Sequence, residues 1–170
     1  MIRGRLFPVA EPRWLDEDEQ HAWRAYLTAT RLLAEALDRE LQREAGMPHA
    51  YYEILVRLSE APARTLRMSA LAAVTSSSRS RVSHAVARLE ESGWVRRESC
   101  PADRRGALAV LTDAGYAALA AAAPGHVDGV RRHLLDPLTP EQVSQLAAIS
   151  ETLLRHFGST SGEHDQQPAA

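Results

Sequence analysis

Along residues 80–89, arginine, histidine and serine alternate with aliphatic residues at a spacing that sorts them onto opposite sides of a helix. At roughly 3.6 residues per turn, Val82, Ala85, Val86 and Leu89 share one side, and Ser80, Arg81, His84, Ala87 and Arg88 share the other. The second side carries no acid before Glu91. Guanidinium and imidazole groups donate hydrogen bonds to phosphate oxygens and guanine edges, and small neighbours let a helix approach a groove closely. A second basic group, Asp103–Arg104–Arg105–Gly106, follows. An arginine on an exposed hairpin can enter a minor groove, where narrow A·T-rich stretches concentrate negative potential. A carboxylate two residues earlier can hold its guanidinium in a fixed fork. The chemistry on offer is recognition of double-stranded DNA.

Such groups need a helix held by a second helix, and a hairpin beside it. Residues 69–75 form a short helix carrying Leu71 and Val74, and the run Ser76–Ser77–Ser78 offers an N-cap to the helix that follows. Gly93 ends that helix. Residues 94–98 and 107–111 then read as two strands joined by a turn at 101–106. Upstream, the acids at 16–19 start a long helix that ends at Gly46, and a further helix starts near Pro48 and buries Ile54, Leu55 and Leu58 before Pro62. Downstream, Thr112 caps a helix with Leu111 and Tyr116 as a hydrophobic staple, and Pro124–Gly125 should kink or interrupt it before residues 127–135. Thr139–Pro140–Glu141–Gln142 opens a last helix, with Val143, Leu146, Ile149, Leu153 and Phe157 inward and Gly158 as its stop.

The predicted fold class is mainly α with a small β element, a winged helix-turn-helix with flanking dimerisation helices. The expected divisions are an irregular arm (1–15), a helical dimerisation region (16–46 and 112–157), the winged module (47–111) and a disordered polar tail (158–170). Dimerisation is inferred from the first helix. It carries one apolar stripe through Trp23, Tyr26, Leu33, Leu37 and Leu41 and another through Ala25, Ala29, Leu32 and Ala36. One stripe suffices to dock a helix on a single core, so a partner subunit is the economical cover for the second.

Met68–Ser69–Ala70–Leu71–Ala72, the stretch Ser80 to Glu90, Gly93–Trp94–Val95–Arg96–Arg97, and Asp103–Arg104–Arg105–Gly106 through Leu111–Thr112 together resemble the MarR-type regulators. The resemblance covers nearly all of the central module, while the flanking helices match in length and placement. It implies a triangular dimer whose first and last two helices form the interface. It also implies that Ser83, His84 and Arg88 sit at the major groove, with Arg105, steadied by Asp103, in the minor groove. His84 departs from the pattern, since many relatives carry arginine there. Members of this family usually repress a neighbouring gene and release DNA when a small, often aromatic or phenolic, molecule binds between the dimer helices and the DNA-binding lobe. The DNA-contacting set is thus Ser78, Ser80, Arg81, Ser83, His84, Arg88, Asp103, Arg104 and Arg105.

Composition agrees with this reading. The chain has 170 residues, 45% hydrophobic and only 5% aromatic, a mix that favours helices. Its net charge of −2 conceals a segment, 62–112, of net +5, which leaves −7 elsewhere. That is the pattern of one part meeting a polyanion. No apolar run is long enough to span a bilayer, and the one near the N-terminus is too short for a signal peptide. A single cysteine permits no internal disulfide, so a reducing cytoplasm is expected.

Cys100, near Arg96, Arg97 and Arg104, offers a redox-sensor alternative, but is read as an unreactive, partly exposed thiol. His21, His49, His126 and His133 do not form a compact ligand set and are read as isolated surface groups; no metal or cofactor is expected. Trp23, Tyr26, Tyr51 and Tyr52 are the effector-pocket candidates, although aromatics at helical spacing also suit a core. No GxSxG elbow, phosphate-binding glycine loop or HExxH is present, so no enzyme is expected. A winged-helix architectural or protein-binding module remains the alternative from another class.

Overall fold

The computed structural model describes residues 12–100 and 103–163, and side chains over 12–100 and 106–158. Helix α1 (Glu17–Ala45) begins where Asp16 accepts from the Glu19 amide at 2.8 Å while the Glu19 carboxylate accepts from the Asp16 amide at 3.0 Å. This reciprocal cap satisfies two of the donors a helix leaves orphaned. Gly46, at φ 62°, ends α1 in the left-handed region that glycine adopts without a Cβ penalty. Helix α2 (His49–Glu60) follows Pro48. A tight turn at Pro62–Arg64 then leads into β1 (Thr65–Arg67) and α3 (Met68–Val74). The Arg64 guanidinium secures that turn, bonding Asp113 at 3.0 Å and lying 4.1 Å over the Tyr116 ring. Next come α4 (Arg79–Glu91), β2 (Val95–Cys100), β3 (Asp103–Leu111) and α5 (Asp113–Val130), then a π-helical turn at Arg131–Leu135 and α6 (Pro140–Glu163).

The sheet is antiparallel with β3 between β1 and β2, pairing Thr65 with Val110 and Val95 with Leu111. The sequence suggested only β2 and β3. Three residues are too few for a period-2 pattern to declare itself, and β1 is made a strand by pairing with β3 rather than by its own propensity. Behind the sheet lies one core: Leu55 and Leu58 of α2, Leu71 of α3, Val82, Val86 and Leu89 of α4, and Val95, Ala109 and Leu111 of the sheet. Leu41 and Met47 at the end of α1, with Leu119 and Ala122 of α5, extend it toward the long helices.

Two expectations for the C-terminal helices need correction. Helix α5 continues through Pro124–Gly125 instead of breaking there. Proline removes one backbone donor, but α5 packs against α1 on either side of it, and Gly125 and Gly129 let α1 approach closely. The irregularity falls later, at Arg131–Leu135, where Arg132 and His133 both reach Glu40 of α1, at 3.2 and 2.9 Å. Helix α6 opens with the expected box, Gln142 amide to Thr139 Oγ1 and Thr139 amide to the Gln142 side chain, but runs past Gly158 to Glu163. A glycine without a left-handed turn costs a helix about 1 kcal/mol and need not stop it. Most of the expected arm and the end of the expected tail lie outside the described residues.

Within one chain α6 packs only marginally on the rest, and Ile149 and Leu154 are 59% and 70% exposed. Of the stripes on α1, only Leu37 and Leu41 are buried, while Trp23, Tyr26, Leu27 and Leu32 stand about half exposed.

Candidate nucleic-acid interface

Helix α4 is set on the core by its aliphatic side. Val82, Val86 and Leu89 are buried beneath it, and the junction with α3 is tied by side-chain oxygens. Thr75 Oγ1 donates back to the Leu71 carbonyl at 2.8 Å, and Ser78 Oγ accepts from the Arg81 amide at 3.3 Å as the N-cap. With Gly93 at φ 73° ending α4 as expected, both ends of the helix are specified locally.

Every site residue expected on α4 or its cap, Ser78, Ser80, Arg81, Ser83, His84 and Arg88, is exposed. Arg81, His84 and Arg88 line an open groove of about 620 Å³ together with Ala50 and Tyr51 from the first turn of α2, and Glu91 at its end. The Arg88 guanidinium bonds the Glu91 carboxylate at 2.8 Å. A rigid helix thus presents two cations and a histidine on a face otherwise made of small residues, an arrangement suited to a groove of a nucleic acid.

The strand backbone of β3 includes Asp103, Arg104 and Arg105, with Asp103 opposite Cys100 and an irregular register at Ser99/Cys100. Their side chains lie outside the described residues. At the base of the hairpin, Glu90 of α4 accepts from the Arg97 amide at 3.1 Å and from Arg97 Nε at 2.8 Å. The Arg97 side chain, then its amide, holds the Glu90 carboxyl below the usual carboxylate range. This contact went unforeseen, because the partner of a surface glutamate seven residues from an arginine depends on the turn between helix and strand.

Residues 45–106 match the family model described as MarR family. The chain is 56% identical to Sco3205, a MarR family transcriptional regulator from Streptomyces coelicolor solved in complex with DNA; the match covers 85% of this chain and 91% of that one, with a TM-score of 0.82. AbsC, a MarR family transcriptional regulator from the same organism, is 44% identical over 87% of this chain and 99% of its own, with a TM-score of 0.81. The chain belongs to the MarR family of transcriptional regulators. It is also 34% identical over 70 residues to the HTH-type transcriptional regulator PecS of Dickeya dadantii, a match spanning 41% of this chain and 42% of PecS.

The remaining candidates of this MarR-family protein fall in different places. Tyr51 borders the α4 groove, whereas Tyr52 is buried and borders a separate cleft of about 240 Å³ with His49, Glu53, Val56, Arg57 and His126. Trp23 and Tyr26 line neither cleft. Successive helical residues point about 100° apart, which separates Tyr51 from Tyr52. Histidines 49 and 126 are not isolated: their ring centroids lie 5.5 Å apart, and the Tyr52 ring is 4.4 Å from that of His126. His126 Nδ1 is buried and has no hydrogen-bond partner. Burial, then His49, holds the His126 imidazole below its usual range. His133 bonds Glu40. Among the described residues no three His, Cys, Asp or Glu side chains are grouped to hold a metal ion.

Cys100 is buried rather than partly exposed, at the end of β2 where the register shifts between Ser99 and Cys100. Of the cations expected to favour a thiolate, Arg96 is engaged by Glu98 at 2.7 Å and Arg97 by Glu90 at 2.8 Å, and the Arg104 side chain lies outside the described residues. No described helix is long and apolar enough to cross a membrane.

Proposed function

We propose that the protein is a sequence-specific DNA-binding regulator that binds an inverted-repeat operator as a homodimer. On this reading it represses transcription and leaves DNA when a small aromatic or phenolic effector binds. The observation that carries the DNA-binding part is the exposed Arg81–His84–Arg88 face of a helix whose other face buries Val82, Val86 and Leu89. Helix α4 enters the major groove, where His84 and Arg88 meet base edges and Ser78, Ser80, Arg81 and Ser83 meet base edges or phosphates. Arg105 enters the adjacent minor groove, oriented by Asp103, with Arg104 on the backbone. That Sco3205, a protein 56% identical to this one, was solved in complex with DNA supports DNA binding by this chain.

The homodimer is supported by the apolar surface that one chain leaves uncovered. Ile149 and Leu154 lie on α6, which packs only marginally on the rest of the chain, and Trp23, Tyr26 and Leu32 lie on α1 before its buried Leu37 and Leu41. A two-fold pairing of these helices covers them and leaves the two α4 faces on one side. For the effector, the cleft of Tyr52, His49 and His126 is a better site than the four aromatics first grouped. It joins α2 of the DNA-binding lobe to α5 of the dimerisation region, so a ligand there bears on both. Trp23 and Tyr26 belong instead to the dimer face.

Binding selection from randomised duplexes, with light scattering of the complex, tests the reading. The expected result is an inverted repeat with half-sites roughly 10 bp apart, bound by two chains. An asymmetric site bound by one chain would overturn it.

A further inference from the structure

Beyond Arg97 the wing has no side-chain tie to the recognition helix among the described residues. The turn from α4 into β2 is held at its start, with the Trp94 amide donating to the Leu89 carbonyl at 2.9 Å and Thr112 Oγ1 donating to the Gly93 carbonyl at 2.7 Å. Val95 is buried in the core, residues 96–99 of β2 are exposed, and Arg96 bonds Glu98 within the strand itself. Among the described residues, Glu90 alone makes a side-chain hydrogen bond from the last turn of α4 to the strand, and it does so with both oxygens, one on the Arg97 amide and one on Nε. Two bonds from one carboxylate fix an angle, where a single bond would act as a pivot.

We propose that Glu90 is a positioning residue that sets the angle between the recognition helix and the wing, and so the register between the major-groove and minor-groove contacts. A strand rises about 3.3 Å per residue, so Cys100 stands roughly 10 Å beyond Arg97 and the hairpin end farther still. A tilt of about 6° at the clamp displaces that end by about 1 Å, enough to take a hydrogen bond from its optimum to its limit. Being acidic and close to DNA, Glu90 lowers non-specific attraction, so its value to the protein lies in discrimination. The inference rests on the docking proposed above, with Arg105 in the minor groove.

The test compares the full-length wild type, Glu90→Ala, Glu90→Gln and Arg105→Ala in binding selections and in titrations of the selected operator and a scrambled duplex. Glu90→Ala should lose about fivefold in operator affinity, in the range of a well-formed exposed ion pair. Affinity for the scrambled duplex should hold or rise. The lost preference should lie in the flanks read by the wing, with the half-site core unchanged, and Glu90→Gln should recover part of it through the retained acceptor oxygen. Thermal midpoints identify a variant that fails by unfolding, because such a loss falls equally on core, flank and scrambled DNA; that result in both Glu90 variants would overturn the proposal. Flank preference lost in Arg105→Ala but kept in Glu90→Ala would overturn the clamp and spare the wing contact. Flank preference kept in both would remove the wing contact and the clamp with it.

Discussion

Replacing Gly115 by alanine should destabilise the protein by about 1–3 kcal/mol, although the same change at Gly125, on the same helix, should be neutral or stabilising. A Cβ at Gly115 would stand 2.1 Å from the Trp94 carbonyl oxygen and 2.8 Å from Leu111 Cδ1. Ordinary contact requires a shift of about 1 Å. That oxygen cannot retreat freely, since it accepts from the Thr112 amide at 3.0 Å and from Thr112 Oγ1 at 3.1 Å. Overpacking costs about 1–3 kcal/mol and a weakened hydrogen bond about 1 more, against which better helix propensity returns about 1. At Gly125 the obstruction is the Glu44 carboxylate at 2.7 Å, the far end of a flexible and partly exposed side chain that can swing aside. Gly129 should fall between them, because the Glu40 oxygen at 2.6 Å is restrained by Arg132. Urea unfolding at one fixed protein concentration reads the three midpoints. A Gly115→Ala protein within about 0.5 kcal/mol of wild type, or one more stable than Gly125→Ala, would refute the reasoning.

Three further outcomes are expected. Arg105→Ala should weaken operator binding by about 1–3 kcal/mol, chiefly at A·T-rich flanks, and Asp103→Ala combined with it should cost less than the sum of the two in a titration cycle. Because His126 is held below its ordinary value of 6.5, the unfolded chain takes up a proton there before the folded one does. Stability should therefore fall as pH drops below about 6.5, and His126→Gln should flatten that part of the urea midpoint–pH curve. If the proposed homodimer forms through α6, Leu154→Asp should shift it toward monomer in light scattering at micromolar concentration, since it puts a charge on an exposed apolar face.

Most of what the sequence made legible is local. The caps at Ser78, Thr112 and Thr139, and the terminating glycines 46 and 93, stand where short-range hydrogen bonding and backbone sterics require them. The face of α4 was equally legible, because helical periodicity alone separates Val82, Val86 and Leu89 from Arg81, His84 and Arg88. What stayed hidden depends on partners distant in the chain. Strand β1 exists by pairing with β3, α5 survives Pro124 by packing on α1, and Glu90 finds Arg97 only once the α4–β2 turn is formed. His49 and His126 stand 5.5 Å apart across 77 residues of sequence, a proximity no spacing rule reveals. The separation of Tyr51 from Tyr52 was available from helix geometry and was obscured by grouping aromatics according to type.

The central claim is that the α4 face is the surface that meets DNA, and the salt dependence of operator binding tests it most directly. Each phosphate neutralised should contribute about −0.9 to the slope of log Kobs against log salt. Wild type should give a steep slope, and Arg81→Ala, which removes one phosphate contact per subunit of a dimer, should reduce its magnitude by about 2. A flat wild-type response, or a slope unchanged in Arg81→Ala and Arg88→Ala alike, would contradict the assignment of this face.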